Sequence, residues 1–135
     1  MAYMDWSDSY SVGVSAIDTQ HKTLFSMVNE LHAAMMRQEG KGAAGPMLAK
    51  LLKYTHDHFA TEEQLMAATK YPEAVKHCAA HRDLSKKAEE LSGRFQRGES
   101  GITVHLLKFV SDWLTQHIVK EDKLYAPWLK EHGVK

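Results

Sequence analysis

Residues 51–66, LLKYTHDHFATEEQLM, decide how this chain is to be read. Each residue advances a helix by about 100°. At that pitch Leu51, Thr55, His58, Glu62 and Leu65 fall on one stripe. Apolar residues recurring at spacings of three and four mark a helix packed against a core. This stripe, however, carries an imidazole and a carboxylate. His56 lies roughly 160° from His58, and Glu63 about 100° past Glu62, so both turn away from it. Burying His58 and Glu62 among apolar neighbours alone is costly. Some other part of the chain must compensate them.

Three further stretches supply candidates. HCAAH, residues 77–81, sets two histidines four apart on a stripe that continues through Leu84, Ala88, Leu91 and Phe95. Two imidazoles one helical turn apart can bind the same ion. In DTQHKTLF, residues 18–25, His21 shares the inward stripe with Leu24 and Phe25. In the last stretch His117 follows Leu107, Val110 and Leu114 on one face. Five histidines and a carboxylate thus enter one core from four helices. Left unpaired there, they would cost several kcal/mol or more, and a metal site removes that cost. His56 and His105 fall off their stripes and His132 is near the C-terminus, so these three read as solvated. His32 shares the stripe of His21, but eleven residues put it about 16 Å further along the helix. It reads as a core or end-of-bundle histidine bonded elsewhere.

The helices run from about Ile17 to Arg37, from Pro46 to Thr69, from beyond Tyr71-Pro72 to Phe95, and from Ile102 to Asp122. Asp18 is a start signal for the first. GKGAAGP (40–46) and RGESG (97–101) read as links, with Pro46 in a first helical turn. No segment alternates with period two. The expectation is an all-α fold, an antiparallel up-down-up-down four-helix bundle. It forms one domain over 1–135, with residues 1–17 an irregular arm packed by Trp6 and Val12, the bundle at 18–122, and a short tail at 123–135 interrupted by Pro127.

Composition bounds the rest. Seventeen basic and seventeen acidic side chains cancel, so no basic face invites nucleic acid. No apolar run approaches the ~20 residues of a membrane span, and the N-terminal residues lack the pattern of a signal peptide. A single cysteine, Cys78, excludes an internal disulfide and fits a reducing cytoplasm. Cys78 itself reads as a buried, inert thiol. A neutral surface predicts a monomer.

Five histidines plus carboxylates exceed what one tetrahedral ion takes, which argues for two ions. Imidazole and carboxylate together suit iron, with manganese, cobalt or zinc as substitutes. Glu-x-x-His pairs, the mark of carboxylate-rich di-iron oxidases, do not occur. In HIVKED, residues 117–122, helical spacing favours Glu121 as a partner of His117. Asp122 is about 140° round from it. A bridging carboxylate need not share the stripe, and spacing leaves the choice open.

DTQHKTLF, HFATE, HCAAH and HIVKED, with Tyr71-Pro72 before the third helix and the arm MDWSDSYSVG, together resemble the hemerythrin family over essentially the whole chain. The resemblance implies a non-haem pair of iron ions joined by an oxo or hydroxo bridge. It implies that one iron takes His77, His81 and His117, and the other, with an open position, takes His21 and His58. Glu62 and Asp122 match the family's bridging carboxylates, so the resemblance selects Asp122 over Glu121. The function it implies is reversible oxygen binding for carriage, storage or delivery to an oxidase or oxygenase, with oxygen held as hydroperoxide on the open iron. Phe25, Phe59, Trp113, Leu114 and Ile118, each within a turn of a ligand, are candidates for the pocket lining. The protein is then not an enzyme, apart from weak peroxidase-type activity. The competing readings are a di-iron redox enzyme that scavenges peroxide or nitric oxide, and an oxygen or iron sensor. A sensor is expected to need a signalling domain for which 135 residues leave no room.

Overall fold

Four apolar stripes on one chain bury themselves best against one another. The structure, a computed structural model, describes residues 4–36, 40–98 and 102–134. Of these, the side chains of 35, 36, 40–44, 102, 103 and 119 are not described. The side chain of Met35 and the whole of Arg37, expected on the first helix, and residues 99–101 of the RGESG link therefore lie outside the described part. Helix α1 spans Ser15–Met36, α2 Gly40–Thr69, α3 Ala74–Gln96 and α4 Ile102–His117. Contacts join α1 to α2, α2 to α3, α3 to α4 and α4 back to α1, closing a four-helix bundle. Among the described residues there is no strand, and no helix is long and apolar enough to cross a membrane.

Two elements differ from the sequence expectation. Residues 40–46 are not a link but the opening turns of α2, with Pro46 inside the helix. Glycine and proline propensities are weak priors that packing overrides, and Met47 and Leu48 immediately beyond them belong to the core. The second difference lies at the end of α4. Ile118–Asp122 forms a π-helical turn, and the chain then continues as α5, Lys123–Glu131. The short tail is thus helical through Pro127.

The interior divides into two clusters. The larger one fills the bundle with Leu24, Phe25, Val28, Leu51, Phe59, Val110, Trp113, Leu114 and Ile118. The smaller joins Val12, Val14 and Ile17 from the N-terminal side to Met66, Tyr125 and Leu129. The arm is fastened by Asp18, whose carboxylate accepts bonds from the Ser11 hydroxyl and the Val12 N–H. Trp6 of the arm meets Phe25 edge-on at 5.4 Å. Gly13 takes φ +76°, and a Cβ there would lie 2.2 Å from Lys130 Nζ.

The α2–α3 turn sets the relative register of two helices that carry histidine. Lys70 adopts the left-handed conformation, φ 57°, and the Tyr71 N–H returns to the Met66 carbonyl at 2.9 Å. This is a helix-ending turn that usually employs glycine.

Leu129 is fully buried although it lies in what sequence marked as a tail. Leu129→Ala is expected to cost about 2–5 kcal/mol, read from denaturant unfolding of the whole chain. An unchanged midpoint would show that α5 is not part of the cooperative unit.

Candidate metal centre

All seven residues singled out from sequence reach one place between the two clusters. His21 comes from α1, His58 and Glu62 from α2, His77 and His81 from α3, His117 from the end of α4, and Asp122 from the end of the π turn. Each is at most 5% exposed, and Glu62 and Asp122 are at 0%. Glu121 is only partly buried and is not in the cluster. The periodicity preference for Glu121 is corrected by the π turn. A π turn closes with i→i+5 bonds, so it takes one more residue per turn than an α-helix. Five residues then bring Asp122, not Glu121, back into phase with His117.

The carboxylates organise the cluster. Glu62 turns Oε1 toward His58 Nε2, 2.5 Å away, and His21 Nε2 at 3.9 Å. Its Oε2 faces His77 Nε2 at 3.3 Å and His81 Nε2 at 3.8 Å. Asp122 does the same. Oδ2 lies 3.0 Å from His21 Nε2, while Oδ1 lies 3.2 Å from His77 Nε2 and 3.0 Å from His117 Nε2. Each carboxylate therefore offers one oxygen to the set His21, His58 and the other to the set His77, His81, His117.

These short distances are not all hydrogen bonds. His21 Nε2, His58 Nε2, His77 Nε2 and all four carboxylate oxygens are buried without a partner in bonding geometry. Such orphans demand an explanation, and a shared cation provides one. Two ligand atoms about 2.1 Å from one ion and at right angles lie roughly 3 Å apart. The observed separations cluster around that value, including 3.1 Å between Nε2 of His81 and Nε2 of His117. The donor set fits a metal of the imidazole-and-carboxylate class.

The outer nitrogens are held as well. His58 Nδ1–H donates to Gln20 Oε1 at 2.6 Å, and His81 Nδ1–H donates to Glu63 Oε2 at 3.1 Å. Each bond leaves the Nε2 lone pair facing inward, the orientation a metal-bound histidine needs. Gln20 and Glu63 were missed from sequence. The available signal was a polar residue immediately beside an inward ligand, just off its stripe.

Phe59 stacks on His81 with ring centroids 3.8 Å apart, and Trp113 lies nearly parallel to His117 at 6.3 Å. Leu114 and Ile118 are buried beside them, while Phe25 makes its ring contacts with Trp6 and Tyr10. Outside the cluster, His56, His105 and His132 are exposed and His32 is partly buried. Cys78 is also only partly buried, and burial with the nearby Glu63 raises its pKa. The tyrosine Tyr125, unremarked in the sequence, is fully buried beside the site. Its ring lies 5.3 Å from that of His77. Burial and then the charges of Glu62 and Asp122 hold its pKa well above the usual value. The hydroxyl senses Glu62 without bonding geometry to it.

The comparisons with known proteins agree with this geometry. Residues 12–129 match the family model described as the hemerythrin HHE cation binding domain. The chain is 36% identical to a bacteriohemerythrin of Stenotrophomonas maltophilia, covering 98% of this chain and 85% of that protein. It is 32% identical to myohemerythrin-1 of Phascolopsis gouldii, covering 89% of each. A crystal structure of wild-type hemerythrin superposes with a TM-score of 0.87 at 36% identity, over 95% of this chain and 98% of the other. What the fold and cluster define is a helical bundle with a non-haem metal centre in its core. The chain belongs to the hemerythrin family.

In the metal-free protein, burial opposes charging of His21 and His77. Asp122 and then Glu62 outweigh it, and both pKa values rise to about 9. Burial, reinforced by the like charges of His117 and His77, lowers that of His81 to about 4. The two raised values add stability that is complete below the ordinary histidine pKa of about 6.5 and lost as pH climbs through about 9. The melting temperature of the metal-free protein should accordingly fall between those limits. At pH 7.5, loading a divalent metal should expel at least the protons of His21 and His77, measured with an indicator dye in weak buffer. Loading without proton release would contradict the assignment. Asp122→Asn should weaken metal binding by about 10-fold or more, whereas Glu121→Gln should leave it unchanged, in a competitive chelator titration. The reverse order would restore the α-helical phase.

Proposed function

We propose that this protein binds dioxygen reversibly at a pair of iron ions. His77, His81 and His117 hold one ion, His21 and His58 hold the other, and Glu62 and Asp122 bridge them. The observation that carries the reading is the division of each carboxylate, one oxygen toward each histidine set. Seven donors exceed the needs of one ion, and the smaller set has room for a further ligand. The iron pair supplies the reversible two-electron chemistry that oxygen binding requires.

The chain's own contribution is threefold. Four helices and the π turn bring the ligand atoms together from opposed faces of one rigid core. Gln20 and Glu63 hold two imidazoles by their outer nitrogens. Phe59, Trp113, Leu114 and Ile118, with Phe25 behind them, form an apolar wall that keeps water from the site and so retards loss of a reduced oxygen species. Among the described residues no further carboxylate or imidazole is buried. A site so equipped holds and releases oxygen more readily than it turns over a substrate. In this reading the protein is a monomeric carrier or store that supplies an oxygen-consuming oxidase or oxygenase.

The test is anaerobic loading with ferrous iron, followed by visible spectra as oxygen is admitted and removed. Two irons per chain, with a visible band that appears with oxygen and vanishes under argon, are expected. Direct conversion to a stable ferric spectrum would move the function to a redox enzyme or sensor.

A further inference from the structure

The buried hydroxyl of Tyr125 has no use in the proposed oxygen chemistry. A fully buried, unbonded hydroxyl costs about 1–3 kcal/mol, so phenylalanine would pack this position more favourably. Tyrosine nevertheless stands there, fully buried against His77. From it a line of rings runs outward. Tyr71 meets Tyr125 at 6.5 Å and 90°, Trp128 meets Tyr71 at 6.1 Å, and exposed His132 stacks on Trp128 at 4.2 Å. Tyr71 and Trp128 are partly buried, and the Trp128 indole N–H donates to the Thr69 carbonyl at 3.0 Å. Tyrosine and tryptophan are the aromatic side chains that most readily lose one electron near neutral pH. On the other side of the site the aromatic neighbour of His81 is Phe59, which does not. Trp113 also lies beside a ligand histidine, His117, at 6.3 Å, but it is buried and its other ring neighbour is Phe59. Among the described residues the run of oxidisable rings that ends on an exposed ring goes through Tyr125.

We propose that Tyr125, Tyr71 and Trp128 form a relay that drains oxidising equivalents from the metal site to the surface when hydrogen peroxide reaches it. The relay rests on the reading of the site as a redox-active iron pair, and it adds a protective function. Hydrogen peroxide breaks its O–O bond on gaining two electrons and two protons, giving two waters. Tyr125 supplies the electrons one at a time. As each leaves, the phenolic proton goes with it to the peroxide oxygens, and a proton from solvent restores the ring when Tyr71 refills it. Trp128 refills Tyr71, and a small reductant in solution, of the ascorbate class, refills Trp128. Two passages oxidise one ascorbate to dehydroascorbate, and its two protons balance those taken up in forming water.

The experiment treats ferric iron-loaded protein with equimolar hydrogen peroxide without reductant. Freeze-quenched samples are read by electron paramagnetic resonance, and peptides are mapped by mass for oxygen added to Trp128. The expected result is a tyrosyl signal, with Trp128 oxygenated at least 10-fold more than in zinc-loaded protein. Tyr71→Phe and Tyr125→Phe, which keep the rings' volume, should each cut Trp128 oxygenation at least 10-fold with iron content unchanged. Equal oxygenation in either variant or in the zinc protein would overturn the relay, as would damage confined to ligand histidines or Trp6. If the chain bound iron and oxygen reversibly yet gave such a result, only the relay would fall. If it bound no iron, the reading beneath it would fall too.

Discussion

Everything in this bundle depends on two carboxylates shared between two groups of imidazoles. Glu62 and Asp122 are sealed from solvent, where an uncompensated charge is costly. Among the described residues the groups that face them are imidazoles, not lysine or arginine. Each is split, one oxygen toward each histidine set. The metal-free arrangement meets part of the demand with protons on His21 and His77. A pair of cations meets it more fully, because positive charge then lies between the oxygens and the imidazole lone pairs instead of on the imidazole nitrogens.

That constraint explains why the ligands come from every helix. One helix can present two donors a turn apart, as His58 with Glu62 and His77 with His81 do, but it cannot surround an ion. Surrounding requires opposed faces, and the closed sequence of contacts from α1 through α4 supplies them. The apolar residues do the complementary work. Phe59 and Trp113 press on His81 and His117, so the same side chains that fill the core also fix imidazole planes. Polar site and hydrophobic core are one packing problem.

Much of this was legible in the sequence, because a buried polar residue interrupts an otherwise apolar stripe. His21, His58, Glu62, His77, His81 and His117 declared themselves in that way, and the bundle followed from the stripes. What spacing could not deliver was Asp122, since periodicity assumes an unbroken α-helix and the chain departs from one at that point. The helical run through residues 40–46 was hidden by glycines and Pro46. Gln20 and Glu63 were hidden because they act from beside the stripes, and Tyr125 because its helix lay beyond the expected end of the bundle. In each of these cases the deciding information was three-dimensional. A partner on another element, or a change of helical pitch, outweighed the local pattern.

The π turn also acts as a counting device. HIVKED is a spacer whose length in residues, more than its composition, fixes the angular phase of all that follows. Were the segment to relax into an ordinary α-helix with all its residues kept, it would hold one residue too many for the turn. Everything beyond would then rotate by about 100°. Asp122 would leave the site, and Tyr125 and Leu129 would leave the smaller core together. Substitutions along Lys120 and Glu121 are tolerable on this geometry, whereas an inserted residue is not; a deleted one would leave Asp122 four residues from His117 in an α-helix, still in phase. The five-residue interval from His117 to Asp122 is thus a sharper guide to a site of this kind than either residue taken alone.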